Sequence, residues 1–292
     1  MDRFMRYLIT ITVAIILFWL VVQIAGCSHN DKSGDNIAVT AAGKRDLLLA
    51  QISEIQDKFG FVGTRCDSTT FTAMLMAFSS VDVNIGLAET EPGKWSRHVE
   101  PCYPDESQSE TSLDVYLMVL HWLLSMPDRQ SALNFLARII ERGTSTGWIM
   151  GQGPVEFTNI LALVPLIERI EDLLKGNATV ELTVDESSDL IPILTGHKGH
   201  IAAFYSLLHG RITGHITTGE LLLLEQMAGD SPSNPIFQAI YHRFKDGDQS
   251  IMANIIINDF ADEINDDVGC YGWGSSPCSL FAIVPVGIAE GI

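Results

Sequence analysis

The chain has 292 residues, of which 47% are hydrophobic and 18% charged. That is enough varied apolar material for a packed core, and it excludes disordered, collagen-like and low-complexity classes. Asp plus Glu number 36 against 18 Lys plus Arg, and the formal net charge of -18 would repel a phosphate backbone, so no nucleic-acid partner is expected. The apolar content is unevenly spread, because residues 7–22 carry no charged side chain at all.

The N-terminus reads as a targeting segment. Arg3 and Arg6 precede the apolar run 7–22, and small residues follow it in Gln23-Ile24-Ala25-Gly26-Cys27, giving a positive region, an apolar region and a cleavage site in order. Ile24-Ala25-Gly26-Cys27 resembles the lipobox of bacterial lipoprotein precursors. That resemblance covers about the first 28 residues and implies cleavage after Gly26, with a thioether lipid on Cys27. Ser28 rather than an aspartate follows the cysteine, which by similarity to enterobacterial lipoproteins implies sorting to the outer membrane. The alternative is an uncleaved inner-membrane anchor over residues 7–26, long enough to span a bilayer as a helix. Either way the remainder is expected to be extracytoplasmic. Domain boundaries follow: a signal peptide over 1–26, a lipidated cysteine and polar tether over 27–40, and one globular domain over 41–292. Without the first 26 residues the chain retains 16 basic and 35 acidic side chains, a net charge of -19 over 266 residues.

The remaining cysteines are Cys66, Cys102, Cys270 and Cys278, an even number that suits an oxidising compartment. Four thiols allow three pairings, and sequence alone selects none. The expected pairing is Cys66–Cys102 and Cys270–Cys278, since each pair flanks a turn-rich loop. No C-x2-C spacing points to zinc.

Helical periodicity dominates the domain. Leu48, Ile52, Ile55 and Phe59 predict a helix over 43–59, stopped by Gly60. Further helices are predicted over 67–78 with Asp67 as cap, 112–126, and 129–142 closed by Gly143. Another is predicted from 154 to 175, with Pro165 expected to kink or split it. The rest lie over 199–209, 217–228, 235–244 and 249–262. Thr217 and Glu220 form a capping box, and His209-Gly210 reads as a helix C-terminus. Residues 178–184 alternate as a short strand would. The predicted fold class is therefore all-α, a single domain of antiparallel helical hairpins with at most a minor β-hairpin; an α/α toroid is one arrangement that such helices permit.

Three constellations could carry chemistry. The helix over 112–126 is apolar nearly all round except for Asp114, His121 and Ser125, which share one seam. A buried polar seam needs partners or a wet cavity, and Asp114 and His121 are the candidate catalytic pair. His197 and His200 could share a helical face and bind a metal, but no HExxH order accompanies them and no cofactor is expected. Finally Trp95, Trp148 and Trp273 sit among glycine and polar residues, where an indole could stack on a sugar with Arg97, His98 and Gln152 as hydrogen-bonding neighbours. Two function classes stay open. One is a lipid-anchored envelope protein that binds or scaffolds a glycan or another envelope protein. The other is a carbohydrate-active toroid, a hydrolase or lyase built on an inner-helix carboxylate and loop tryptophans.

Overall fold

The computed structural model describes residues 49–50, 52, 56–62, 67–79, 81–101, 111–152, 157–177, 199–230, 234–245, 284 and 287–288, all within the unit Thr40–Ile292. Their architecture is helical, with two small antiparallel sheets of two strands each. The helices are α1 (Ser68–Phe78), α2 (Leu113–Ser125), α3 (Arg129–Thr146), α4 (Val164–Leu174), α5 (Gly199–Thr213), α6 (Thr218–Asp230) and α7 (Pro235–Lys245). The sheets pair β1 (Glu89–Glu91) with β2 (Lys94–Trp95), and β3 (Ile149–Gln152) with β4 (Phe157–Asn159). The all-α class with minor β structure is what the periodicity implied.

Two helices organise the core. Nine consecutive residues of α2, 115–123, are buried, as an all-round apolar helix requires. This helix packs on α1, α3, α4 and α5. Residues 201–210 of α5 are likewise buried without a break, and α5 in turn meets α4, α6 and α7. The amphipathic α3 and α4 lie beside these two; α3 buries only Ala132, Leu136, Ile139 and Gly143. Among the described residues no helix is long and apolar enough to cross a membrane.

Several boundaries differ from the sequence expectation, each for a physical reason. Residues 49, 50 and 52 are helical, but the chain has left the helix by Gln56. There the Asp57 carboxylate takes the amides of Phe59 (2.8 Å) and Phe61 (2.9 Å), a local turn that competes with further helix. Asp67 does not cap α1; Arg97 Nη1 reaches its carboxylate at 3.4 Å instead. Asp128, at the start of α3, does cap, accepting from the Gln130 amide.

Gly143 does not stop α3, which continues to Thr146 and ends at the left-handed Gly147. The glycine is there for packing: a Cβ on Gly143 would come within 2.2 Å of the Trp148 ring. The single helix expected over 154–175 is a strand followed by a helix, because β4 pairs with β3 and Pro165 lies in the first turn of α4, where its missing N–H costs nothing. Similarly, α5 runs through His209 and Gly210 to Thr213, and Gly210 admits the Phe244 ring of α7, which would lie 2.3 Å from a Cβ. The predicted strand over 178–184, the helix over 249–262 and all five cysteines lie outside the described residues.

Candidate functional site

The polar seam of α2 exists, and its partner is an arginine on α5. His121 is wholly buried between the rings of Phe78 and Phe204, at centroid distances of 5.2 and 6.0 Å. Its Nε2 donates to the Phe204 carbonyl (2.9 Å) and its Nδ1 accepts from Arg211 Nη1 (3.2 Å). Burial first, and then the charge of Arg211, holds the His121 pKa well below its ordinary value, so the ring is neutral. Arg211 also donates to the His121 carbonyl (3.2 Å) and to Ser125 Oγ (2.8 Å), and its guanidinium lies over the Phe78 ring at 5.2 Å. Burial, with the neighbouring charge of Arg243, lowers the Arg211 pKa to about 10. Asp114 sits two turns earlier on α2, half-buried, and accepts from Thr70 Oγ1 of α1 at 3.3 Å.

A general acid or base must have an atom free for the proton it moves. His121 has none, since both ring nitrogens are engaged with the protein.

The loop residues divide. Trp95 is completely buried, its ring against Trp122 (5.7 Å) and Phe135 (5.6 Å). It is a core residue that presents no face for stacking on a ligand. The β1–β2 turn is pressed so closely on α3 that a Cβ on Gly93 would come within 2.2 Å of the Arg138 carbonyl oxygen. Arg138 grips Glu89 through Nε (2.8 Å) and Nη2 (2.6 Å). Tyr116 donates to the Gly93 carbonyl (3.0 Å) and accepts from the Trp95 amide (3.2 Å), while burial pushes its phenol pKa up to about 12.

His98 is buried as well. Its Nε2 pairs with Asp57 Oδ2 (2.8 Å) and its Nδ1 accepts from the Glu100 amide (2.9 Å). Partial burial of Asp57 is outweighed by that bond and the two amides, and its pKa falls below the ordinary value. Arg97 and His98 thus tie their loop to α1 and to the turn at Asp57.

Trp148 is different. It is half-buried over Gly143, and at φ +65° it is a non-glycine residue in the left-handed region, following Gly147 in the same conformation. Beside it Ile149 is 40% exposed and Leu161 56% exposed. Gln152 lies in β3 opposite Phe157, and Trp273 lies outside the described residues. Trp95 and Trp148 both pack on α3, against Phe135 and Gly143, which are about 12 Å apart along that helix at 1.5 Å per residue.

A third buried histidine was legible only in part. His209 Nδ1 lies 2.9 Å from both carboxylate oxygens of Glu220, and both residues are nearly inaccessible, at 3% and 1% exposure. Glu220 also takes the Thr217 amide (2.8 Å) and hydroxyl (2.9 Å), while its own amide donates to Thr217 Oγ1 (3.2 Å). The capping box expected from sequence is therefore present, with a histidine added to it. The signal for that addition was a histidine inside an apolar helix that had nowhere to exit. His200 lies in the first turn of α5, and His197 is outside the described residues. Among the described residues no group of three or more His, Cys, Asp or Glu side chains gathers as a metal cage.

Set against known proteins, the chain matches no family model, no curated protein and no solved structure.

Proposed function

We propose that this chain is a lipid-anchored, extracytoplasmic envelope protein with a binding or scaffolding role, held to the membrane through Cys27 and meeting a glycan or another envelope protein at the Trp148 ledge. The observation that carries the binding role is the Trp148 backbone. A bulky residue at positive φ costs on the order of 1–3 kcal/mol, and such strain gathers where a side chain must be held in a set position. Here it holds an indole half-open beside the exposed Ile149 and Leu161, a combination suited to the apolar face of a sugar or to a protein surface. The anchor rests on the Ile24-Ala25-Gly26-Cys27 sequence. The carbohydrate-active reading is the weaker one, because it asks His121 to act beside Asp114 while both ring nitrogens of His121 are bound within the core.

Two experiments test the proposal. Metabolic labelling with a palmitate analogue is expected to mark the wild-type chain and not Cys27→Ser; label retained in the variant refutes the lipid anchor. Glycan-array binding or in-envelope cross-linking is expected to show a partner whose binding Trp148→Ala weakens at least tenfold. A Trp148→Ala variant that folds and keeps every partner removes the ledge as the contact site.

A further inference from the structure

The three histidines that are buried among the described residues are not equivalent. His98 and His121 each use both ring nitrogens. His209 uses only Nδ1, on Glu220, and its Nε2 has no partner among the described residues although the residue is 97% buried. Its Nε2 is not among the buried side-chain atoms left without a partner, so that nitrogen is open to a ligand rather than orphaned in the core. Its Nδ1 is taken up by the carboxylate, so Nε2 is the nitrogen left for a ligand.

His215 stands next to it in the same state. Its ring centroid is 6.3 Å from that of His209, and its Nδ1 lies 3.2 Å from the Thr213 carbonyl oxygen, which again leaves Nε2 as the nitrogen open to a ligand. The Thr213 hydroxyl lies within bonding distance of the carbonyls of His209 (2.9 Å) and His215 (2.6 Å), tying the turn after α5 to the helix. Metal-ligating histidines are set in this way, with the second nitrogen donating to a carboxylate or a backbone carbonyl. Two imidazoles on one tetrahedral ion, with metal–nitrogen bonds of about 2.0–2.1 Å, place their ring centres about 5–6 Å apart. His215 is exposed on its turn, where a small ring shift that keeps the Nδ1 contact closes the remaining difference.

We propose that His209 and His215 form a two-histidine site for an imidazole-preferring divalent transition metal such as Zn2+, with Glu220 as the positioning residue behind His209 and water completing the coordination. The site is distinct from the His197/His200 pair considered from sequence, and from the Trp148 ledge.

The test is calorimetric titration of Zn2+ into the full chain, purified in detergent and stripped with chelator. The expected result is one saturable site that stabilises the fold against heat. His215→Ala, a change at an exposed turn, should weaken it at least tenfold without altering the melting temperature of the metal-free protein. Glu220→Gln should weaken it about tenfold or more, and the His197→Ala/His200→Ala double variant should bind as the wild type does. Absence of a saturable site, unchanged affinity in His215→Ala, or loss in the double variant instead would each overturn the assignment. His209→Ala is a poor test by itself, since it strips a partner from buried Glu220; His215→Ala keeps the question decidable if that variant does not fold.

Discussion

Two polar side chains two residues apart on α5 solve the problem of burial in opposite ways. Arg211 is a half-buried cation given neutral acceptors: the nitrogen and carbonyl of His121, and the hydroxyl of Ser125. His209 is an imidazole given a buried carboxylate, Glu220, which itself closes the first turn of α6. The first arrangement takes the ring nitrogen that the Phe204 carbonyl leaves over on His121 and locks α5 to α2. The second locks α5 to α6 and leaves a nitrogen over. The lesson is that a buried histidine becomes available for chemistry according to how many of its nitrogens the fold has already used, and not according to burial itself.

The sharpest way to break this contrast is Glu220→Ala. It removes a cap and strands His209 Nδ1 without an acceptor, and the expected loss is on the order of 3 kcal/mol in urea unfolding. A loss below about 1 kcal/mol would mean that the pair does not join α5 to α6. Arg211→Met should cost less, about 2 kcal/mol, because the groups it deserts are neutral and the methionine retains the contact with Phe78.

The third prediction is a pH dependence. His121 has a folded pKa well below 6.5, so on acidification the unfolded chain takes up a proton that the native state refuses. Its contribution is therefore present above pH 6.5 and lost as pH falls from there toward the folded value, at about 1.4 kcal/mol per pH unit. Chemical denaturation from pH 7 to pH 5 should show this slope in the wild type and not in His121→Gln. An equal slope in both would place the titrating group elsewhere.

The smallest effect belongs to Asp57 and His98, a carboxylate–imidazole pair like Glu220–His209 but with the carboxylate near the surface. The folded pKa of Asp57 is depressed, so its contribution is present above pH 3.8 and is lost as pH falls through the folded value. Solvent screening at the partly exposed carboxylate keeps it under about 1 kcal/mol. Comparison of the wild type with Asp57→Asn at pH 6 and pH 2.5 should show the difference shrinking at the lower pH.

Periodicity located the helices well wherever one face had to be buried. The all-round apolar stretch over 115–123 required a central helix, and the structure has one in α2. The errors came where a residue's role depended on a distant neighbour. Gly143 and Gly210 resemble helix stops locally, yet each lies inside a helix because an aromatic ring from another element occupies the space of the missing side chain. Trp95 resembles a loop tryptophan because it stands among Pro92, Gly93 and Lys94, but Trp122 and Phe135 enclose it. Ser125 and His121 were recognisable as one seam. Arg211, which completes it, was not, since 86 residues separate it from Ser125 and no local pattern links them.

What the sequence by itself determined was the helical class, the acidic surface charge, the capping box at Thr217 and Glu220, and the existence of a polar seam on α2. Each follows from spacing along one stretch of chain, where 3.6-residue periodicity and unpaired helix-end amides act locally. Only the tertiary structure decided which polar atoms were used up and which were left over. That is settled by hydrogen bonds between elements far apart in sequence, as from His121 to Phe204 and Arg211 and from His209 to Glu220. A buried donor or acceptor must find its partner wherever packing brings one within about 3 Å.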